Sequence, residues 1–181
     1  MKLNIRDIER NDIEHIVLVN KELGWHKPAS LYERYLKEHL NAERTVLIAE
    51  IENKYAGYLT IFWKPTYITF KQSGIPEIVD FSVIPKYRRR GIGTALMDEA
   101  ENRIVTAGYK GIGIGVGMDP DYGAAQRMYV LRGYIPDGRG LMFDDGRPTQ
   151  WGQKVTVDDS LALYFTKALG DPRVIDCCED F

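Results

Sequence analysis

The feature that most constrains this chain is a strand, a glycine-containing turn and a helix that follow one another directly. Pro76 precedes the run of residues 77–84 and Pro85 ends it, which indicates a strand of ordinary length between two residues that cannot donate to a ladder. From Gly91 onwards the apolar residues recur four positions apart, as on one face of a helix. They are Ile92, Leu96, Ala100 and Ile104.

The turn between this strand and this helix carries a pattern that favours an anion site. Its residues are Arg88, Arg89, Arg90, Gly91, Ile92, Gly93 and Thr94. The first backbone N–H groups of a helix have no partner within the helix and lie at its positive end, so they attract phosphate. Gly91 and Gly93 remove side chains that would block the approach. Taken alone, the same pattern also fits a solvated basic turn before a helix.

Charge and composition exclude several classes of protein. The 181 residues carry a formal net charge of −2, which argues against a general affinity for nucleic acid. No stretch approaches the roughly 18 apolar residues of a membrane span, and the N-terminus lacks the apolar segment of a signal peptide. We therefore expect a cytoplasmic protein, with residues 1–169 as a single domain and residues 170–181 as a tail.

The cysteines and histidines do not predict a metal site. Cys177 and Cys178 are adjacent, so they form neither a disulfide framework nor a metal knuckle, and two reduced thiols on a loose tail are expected. His15, His26 and His39 lack ligand spacing. No metal is therefore assigned.

The rest of the chain alternates between helical and strand patterns. Asn11 and Asp12 offer an N-cap for a first helix, and Ser30 with Glu33 forms a capping box for a second. The other predicted segments are strands at 3–6, 45–51, 55–63, 110–117 and 161–166, a helix from Asp119 to about Gly133, and a long loop or irregular hairpin at 136–154.

The strand at 110–117 places four glycines on one face and Ile112, Ile114 and Val116 on the other, so the bare face allows close approach of another group. Val116 stands where a dinucleotide-binding motif needs its third glycine, and the run lies within a strand. No G-K-[ST] triplet exists for a phosphate loop of the Walker type.

Two segments together resemble a known family. R-x-x-G-x-G after a strand and before an amphipathic helix resembles the acyl-CoA signature of the GNAT superfamily of N-acetyltransferases. Residues 125–134 are similar to the family's A-x-x-[FL]-Y-x-x-x-G-[FY] passage, and the resemblance covers residues 1 to about 135 and the final strand. One departure is Tyr122, seven positions before Tyr129, where the family often has asparagine.

The resemblance implies a mixed α/β (α+β) fold with a mostly antiparallel, twisted sheet of six to seven strands and about four helices. Acetyl-CoA would lie in a cleft between splayed central strands, with its pantetheine arm along Phe81, Ser82 and Val83 and its pyrophosphate on residues 89–94. The Val83 N–H would polarise the thioester carbonyl. A small-molecule or peptide amine would be the acceptor, and a homodimer is left open.

The catalytic residues are predicted with alternatives. Glu77 lies eleven residues before Arg88, where some GNAT enzymes carry a catalytic glutamate, and Asp80 competes with it as the base. Strict alternation puts the two on opposite faces, although a bulge would change this. A water chain without a dedicated base is a further alternative. Tyr129 is the general acid by resemblance, and a buried core tyrosine is the other interpretation.

Two functions of different class remain open at this point. The first is transfer of acetyl from acetyl-CoA to a primary amine by direct attack in a ternary complex. The second is a non-catalytic acyl-CoA-binding or partner-binding module with the same fold. An acyl-enzyme route would need a cysteine beside the thioester, and the only cysteines are on the tail.

Overall fold

The computed structural model describes residues 2–170, so that Cys177 and Cys178 lie outside the described part. In chain order the elements are β1 (Leu3–Asp7), α1 (Asp12–Glu22), α2 (Ala29–Leu40), β2 (Arg44–Ile51), β3 (Lys54–Phe62), α3 (Ile68–Ser73), β4 (Glu77–Val83), α4 (Ile92–Thr106), β5 (Gly111–Gly117), α5 (Gly123–Leu131), β6 (Ile135–Phe143) and β7 (Leu161–Ala168). Short 3-10 turns at Pro85–Tyr87 and Pro120–Tyr122 precede α4 and α5.

The strands form one sheet in the order β1-β2-β3-β4-β5-β7-β6. The pair β4 and β5 is parallel, whereas β1 with β2, β2 with β3, β5 with β7 and β6 with β7 are antiparallel. The predicted mixed α/β fold with a mostly antiparallel sheet is therefore confirmed. The described residues contain five α-helices rather than about four, because α3 lies in a stretch that the sequence patterns leave as an interruption.

The chain divides into two compact units, and the first consists of Met1–Trp63 and Val79–Asn102. Its core is formed by apolar and tyrosine side chains of α1, α2 and the β2–β3 hairpin. The fully buried members include Ile16, Tyr32, Ile48 and Tyr58. Of the predicted α4 stripe, Ile92, Leu96 and Ala100 belong to this unit and Ile104 to the second, and each is at most 1% exposed.

The two predicted helix caps in this unit have different outcomes. Asn11 is the N-cap residue of α1, as predicted, but its side chain makes no capping bond, and the Asp12 carboxylate accepts the Glu9 N–H at 2.7 Å. The Ser30 capping box is wrong, because α2 begins at Ala29 with Pro28 as its N-cap. Pro28 has no N–H and a φ that suits the entry to a helix, so the helix begins before Ser30 can cap it.

The second unit consists of Lys64–Ile78 and Arg103–Phe181, of which the structure describes the part up to residue 170. Its aromatic cluster contains Tyr67, Phe70 and Tyr164 with Ile75 and Met142.

The bare face of β5 in this unit faces aromatic rings. A Cβ atom on Gly113 would lie 2.3 Å from the Phe70 ring, and one on Gly117 would lie 2.4 Å from the Tyr122 ring. Aromatic side chains of the chain itself therefore pack against the glycine face of β5.

The segment after α5 is an irregular strand. Residues 135–143 form β6, and its pairing with β7 shifts register between Pro136 and Leu141. Gly138 and Gly140 have positive φ within this shift. Within the segment predicted as a loop or hairpin, Pro136 and residues 141–143 thus pair with the final strand.

Candidate active site

Strand β4 is held close to β3 within the first unit. Asp80 has a φ of +56°, which places a left-handed residue in the middle of the strand. On its N-terminal side the Thr60 hydroxyl donates to the Val79 carbonyl. On its C-terminal side a Cβ atom on Gly57 would lie 2.4 Å from the Ser82 carbonyl oxygen, so only glycine permits this approach of the two backbones. We call this left-handed residue the Asp80 kink.

The residues predicted to bind the pantetheine arm follow the Asp80 kink directly. Phe81, Ser82 and Val83 are half-buried, and the strand ends where the Ile84 N–H donates to the Ala56 carbonyl at 2.9 Å. Their backbone is therefore positioned from both ends, and the three residues remain partly exposed.

The turn before α4 presents successive backbone donors. Arg89 and Gly91 have φ of 58° and 81°, and the Arg88 Nε donates to the Val83 carbonyl at 3.1 Å. The Ala95 N–H donates to the Gly91 carbonyl at 2.9 Å, so the first N–H groups of α4 precede its first hydrogen bond. These are the groups of Ile92, Gly93 and Thr94.

Positive charge surrounds the same turn. Arg88, Arg89 and Arg90 are exposed, and the Arg90 guanidinium and Lys86 ammonium lie 5.9 and 5.1 Å from the centre of the Tyr87 ring. Guanidinium groups and helix N-terminal amides are the donors that phosphate oxygens prefer in proteins. The turn thus combines the donors and the charge of a phosphate site.

The Asp80 carboxylate is engaged by donors of the first unit. The Lys27 Nζ forms an ion pair with it, and the Tyr35 hydroxyl donates to it at 3.1 Å. Lys27 also donates to the Tyr58 hydroxyl at 3.0 Å. Burial, and after it the charge of Asp80, raises the pKa of Tyr35 and of Tyr58 well above the usual value. Both hydroxyls therefore stay protonated.

Glu77 belongs to the second unit, where it pairs with Gly113 across the β4–β5 ladder. Paired residues of neighbouring strands project to the same face, so Glu77 shares the face on which the aromatic rings lie. Burial first, and then the charge of Glu77, raises the pKa of Tyr164 to about 12. The Tyr164 ring stacks on Tyr67 with 3.7 Å between ring centres.

The Tyr67 hydroxyl donates to the Asp137 carboxylate at 2.6 Å. Asp137 and Asp144, like Glu77, contribute to the raised pKa of Tyr164. Carboxylates therefore surround this aromatic pair.

Tyr129 lies on α5 in the second unit and is 4% exposed. Burial raises the pKa of its hydroxyl above the usual value, with a further contribution from Tyr122. Gln126 donates to the Gly117 carbonyl at 2.8 Å and so ties α5 to the end of β5. Tyr122, which stands where the family often has asparagine, packs on Gly117, and its hydroxyl donates to the Asp159 carboxylate at 3.2 Å. Its side chain therefore takes part in the packing of this unit.

The structure thus places the predicted site residues in two groups. The first unit contains Asp80, the pantetheine-binding residues 81–83 and the turn at 88–94, and the second contains Glu77 and Tyr129. Sequence patterns did not indicate Lys27, since it lies in a connection without periodicity. Within residues 2–170 no group of three or more His, Cys, Asp or Glu side chains is arranged to hold a metal ion, and no helix is long and apolar enough to cross a bilayer.

A strand, a donor-rich turn and a helix at this place in a mixed sheet define a class of transferases that use an acyl-CoA. Residues 10–134 match the acetyltransferase (GNAT) family. The chain therefore belongs to the acetyltransferase (GNAT) family and is an acyl-CoA-dependent acetyltransferase with acetyl-CoA as its cosubstrate.

One relative by sequence is an N-alpha-acetyltransferase of Sulfurisphaera tokodaii, 27% identical over 149 residues, which cover 74% of this chain and 86% of the relative. Among solved structures, Ard1 from Thermoplasma volcanium has a TM-score of 0.69 at 17% identity, covering 94% of this chain and 100% of its own. The acetyltransferase yncA from Salmonella typhimurium, solved with its cofactor acetyl-CoA, has a TM-score of 0.68 at 14% identity, covering 98% and 100%. At these identities the structures show a shared fold.

Proposed function

We propose that this enzyme transfers the acetyl group of acetyl-CoA to the α-amino group of a polypeptide by direct attack in a ternary complex. The observation that carries the proposal is the β4–turn–α4 geometry. Residues 81–83 would pair with the pantetheine arm, and the amides of residues 89–94, with the arginine side chains, would hold the pyrophosphate. The Val83 N–H would polarise the thioester carbonyl.

Two arguments support the α-amino group as acceptor, namely the relative from Sulfurisphaera tokodaii and the pKa of amines. The relative is named an N-alpha-acetyltransferase. An α-amino group has a pKa of about 7.7–8.0, whereas a lysine-like amine has a pKa of about 10.4. A larger fraction of α-amino groups is therefore neutral and nucleophilic at pH 7, so removal of the proton by the base is less unfavourable.

Glu77 is proposed as the base that removes the proton from the amine. Glu77 lies eleven residues before Arg88, where some GNAT enzymes carry a catalytic glutamate, and its rival Asp80 accepts hydrogen bonds from Lys27 and Tyr35. Tyr129 is proposed as the acid that assists departure of the CoA thiolate. The hydroxyl is protonated at neutral pH and can therefore donate, whereas the burial that raises its pKa weakens it as an acid.

The acceptor can be tested by measuring thiol release from acetyl-CoA with three classes of amine. We expect release with peptides that have a free N-terminus, and little with N-terminally blocked peptides containing lysine or with polyamines. Mass spectrometry should locate the acetyl group on the α-nitrogen. Faster reaction with polyamines would refute the acceptor proposal. Binding of acetyl-CoA without turnover of any amine would favour a non-catalytic module.

The catalytic roles can be tested with Glu77→Gln and Tyr129→Phe. We expect kcat to fall about 10²–10⁴-fold for Glu77→Gln and by a smaller factor for Tyr129→Phe, because a positioned acid or base contributes rate in this range. Calorimetry should show acetyl-CoA affinity within about twofold of wild type. Glu14→Gln, an exposed change on α1, is the matched control. Full activity of Glu77→Gln would mean that a water chain or another group removes the proton.

A further inference from the structure

The Asp80 kink needs an explanation, because a residue with a side chain rarely adopts a left-handed backbone within a strand. Asparagine and aspartate tolerate it better than other residues, and such a conformation persists only where the surroundings hold it in place. Residues 81–83, which follow the kink, take their direction from it.

Contacts from three other elements of the first unit hold the kink. The Lys27 ammonium, from the connection between α1 and α2, pairs with the Asp80 carboxylate, and the Tyr35 hydroxyl of α2 donates to it at 3.1 Å. One residue earlier, the Thr60 hydroxyl of β3 donates to the Val79 carbonyl. Lys27 and Tyr35, which donate to the carboxylate, both come from the α1–α2 region.

Lys27 is itself held in place. Its backbone N–H donates to the Trp25 carbonyl at 3.0 Å, its Nζ donates to the Tyr58 hydroxyl, and the next residue, Pro28, is the N-cap of α2. The Lys27 side chain is 35% exposed and that of Asp80 is 16% exposed. A partly buried ion pair is a poor stabiliser, because desolvation offsets much of the attraction. Its more useful contribution is to fix one geometry.

We propose that Lys27 is a positioning residue for acetyl-CoA binding: its ion pair with Asp80 fixes the kink of β4, and so the direction of the backbone at residues 81–83. This inference rests on the proposed function, in which that backbone pairs with the pantetheine arm. Asp80 in this account is a positioning residue and does not take part in proton transfer.

The test compares acetyl-CoA affinity and steady-state kinetics of Lys27→Met, Asp80→Asn and the double variant. Each single change should raise the Kd and the KM for acetyl-CoA about tenfold, which corresponds to coupling of the size measured for residues in direct contact. The double variant should bind acetyl-CoA no less tightly than the single variant with the lower affinity. In all three variants kcat at saturating acetyl-CoA should change less than about threefold. Lys27→Arg should recover most of the affinity, and Lys37→Met, at an exposed lysine of α2, is the control.

A second pair of variants separates the effect of the backbone conformation at residue 80 from the effect of its charge. Asp80→Gly and Asp80→Ala both remove the carboxylate, but glycine adopts a positive φ without strain. If the kink matters, Asp80→Gly should bind acetyl-CoA several-fold more tightly than Asp80→Ala. Asp80→Asn conserves volume and tolerates the left-handed backbone, so it provides a folded comparison.

Three outcomes would overturn the inference: additive single effects, equal affinity of the glycine and alanine variants, or loss of kcat in Asp80→Asn with normal acetyl-CoA affinity. The last would make Asp80 the base. If the wild-type protein failed to bind acetyl-CoA, the proposed function would fail and this inference with it. If the wild type binds and Lys27→Met binds equally well, only the inference fails.

Discussion

At the scale of single residues, glycine at position 113 is required by one aromatic ring. A Cβ atom there would lie 2.3 to 2.6 Å from three atoms of the Phe70 ring, and Phe70 is completely buried beneath Tyr67 and Tyr164. Gly113→Ala should therefore cost about 1–3 kcal/mol of unfolding free energy, as overpacked cores do. The corresponding fall in Tm is about 2–4 °C for each kcal/mol in a chain of this size, measurable by thermal denaturation.

The matched control is Gly123→Ala at the start of α5, where a Cβ atom would meet nothing within 4 Å. Its φ of −56° is helical, so alanine should be neutral or slightly stabilising there. If both variants lowered Tm equally, the ring contact would not be the reason for glycine at 113.

At the scale of elements, the β2–β3 hairpin shows which parts of the fold are predictable. Runs of β-branched and aromatic residues indicate both strands, and each observed bound either coincides with the predicted one or differs from it by one residue. The helix α3 was not predicted because six residues are too few to establish a helical period. The start of α2 was misplaced because Ser30 and Glu33 match a capping box in sequence, whereas Pro28 determines where the helix begins.

The loop of this hairpin gives an element-scale prediction. Glu52 and Asn53 have φ of 50° and 63°, as in the type I′ turn that joins two antiparallel strands through two residues. Glutamate is poorly suited to this conformation and asparagine is well suited. Glu52→Asn should therefore add about 0.5–1 kcal/mol of stability, whereas Asn53→Ala should remove a similar amount. Urea denaturation measures both, and a loss of stability in Glu52→Asn would contradict the turn assignment.

At the scale of the whole molecule, the candidate site can be predicted from sequence only where its residues are neighbours in the chain. The turn at residues 88–94 lies between a strand and a helix that the sequence patterns indicate, so its backbone donors could be predicted from the sequence. The pair of Lys27 and Asp80 joins residues 53 positions apart, and no periodic pattern links them. Such pairs depend on how helices pack against the sheet, which a single sequence does not state.

Buried tyrosines also give the molecule a property that can be measured as a whole, its stability at alkaline pH. Burial raises the pKa of Tyr164 to about 12, and those of Tyr35, Tyr58 and Tyr129 also lie above the usual value. In the unfolded chain a tyrosine ionises near pH 10. Above this pH the unfolded state binds fewer protons than the native state, so stability falls as pH rises.

The loss should be small below about pH 9 and then approach roughly 1.4 kcal/mol per pH unit for each buried tyrosine, until its native pKa is reached. Urea denaturation between pH 8 and 11 measures this slope. Tyr164→Phe removes one titrating hydroxyl from a side chain that is 7% exposed, and the slope should become shallower by that amount. An unchanged slope would mean that Tyr164 ionises in the native protein as readily as in the unfolded chain, contrary to its burial between β5 and the Tyr67 ring.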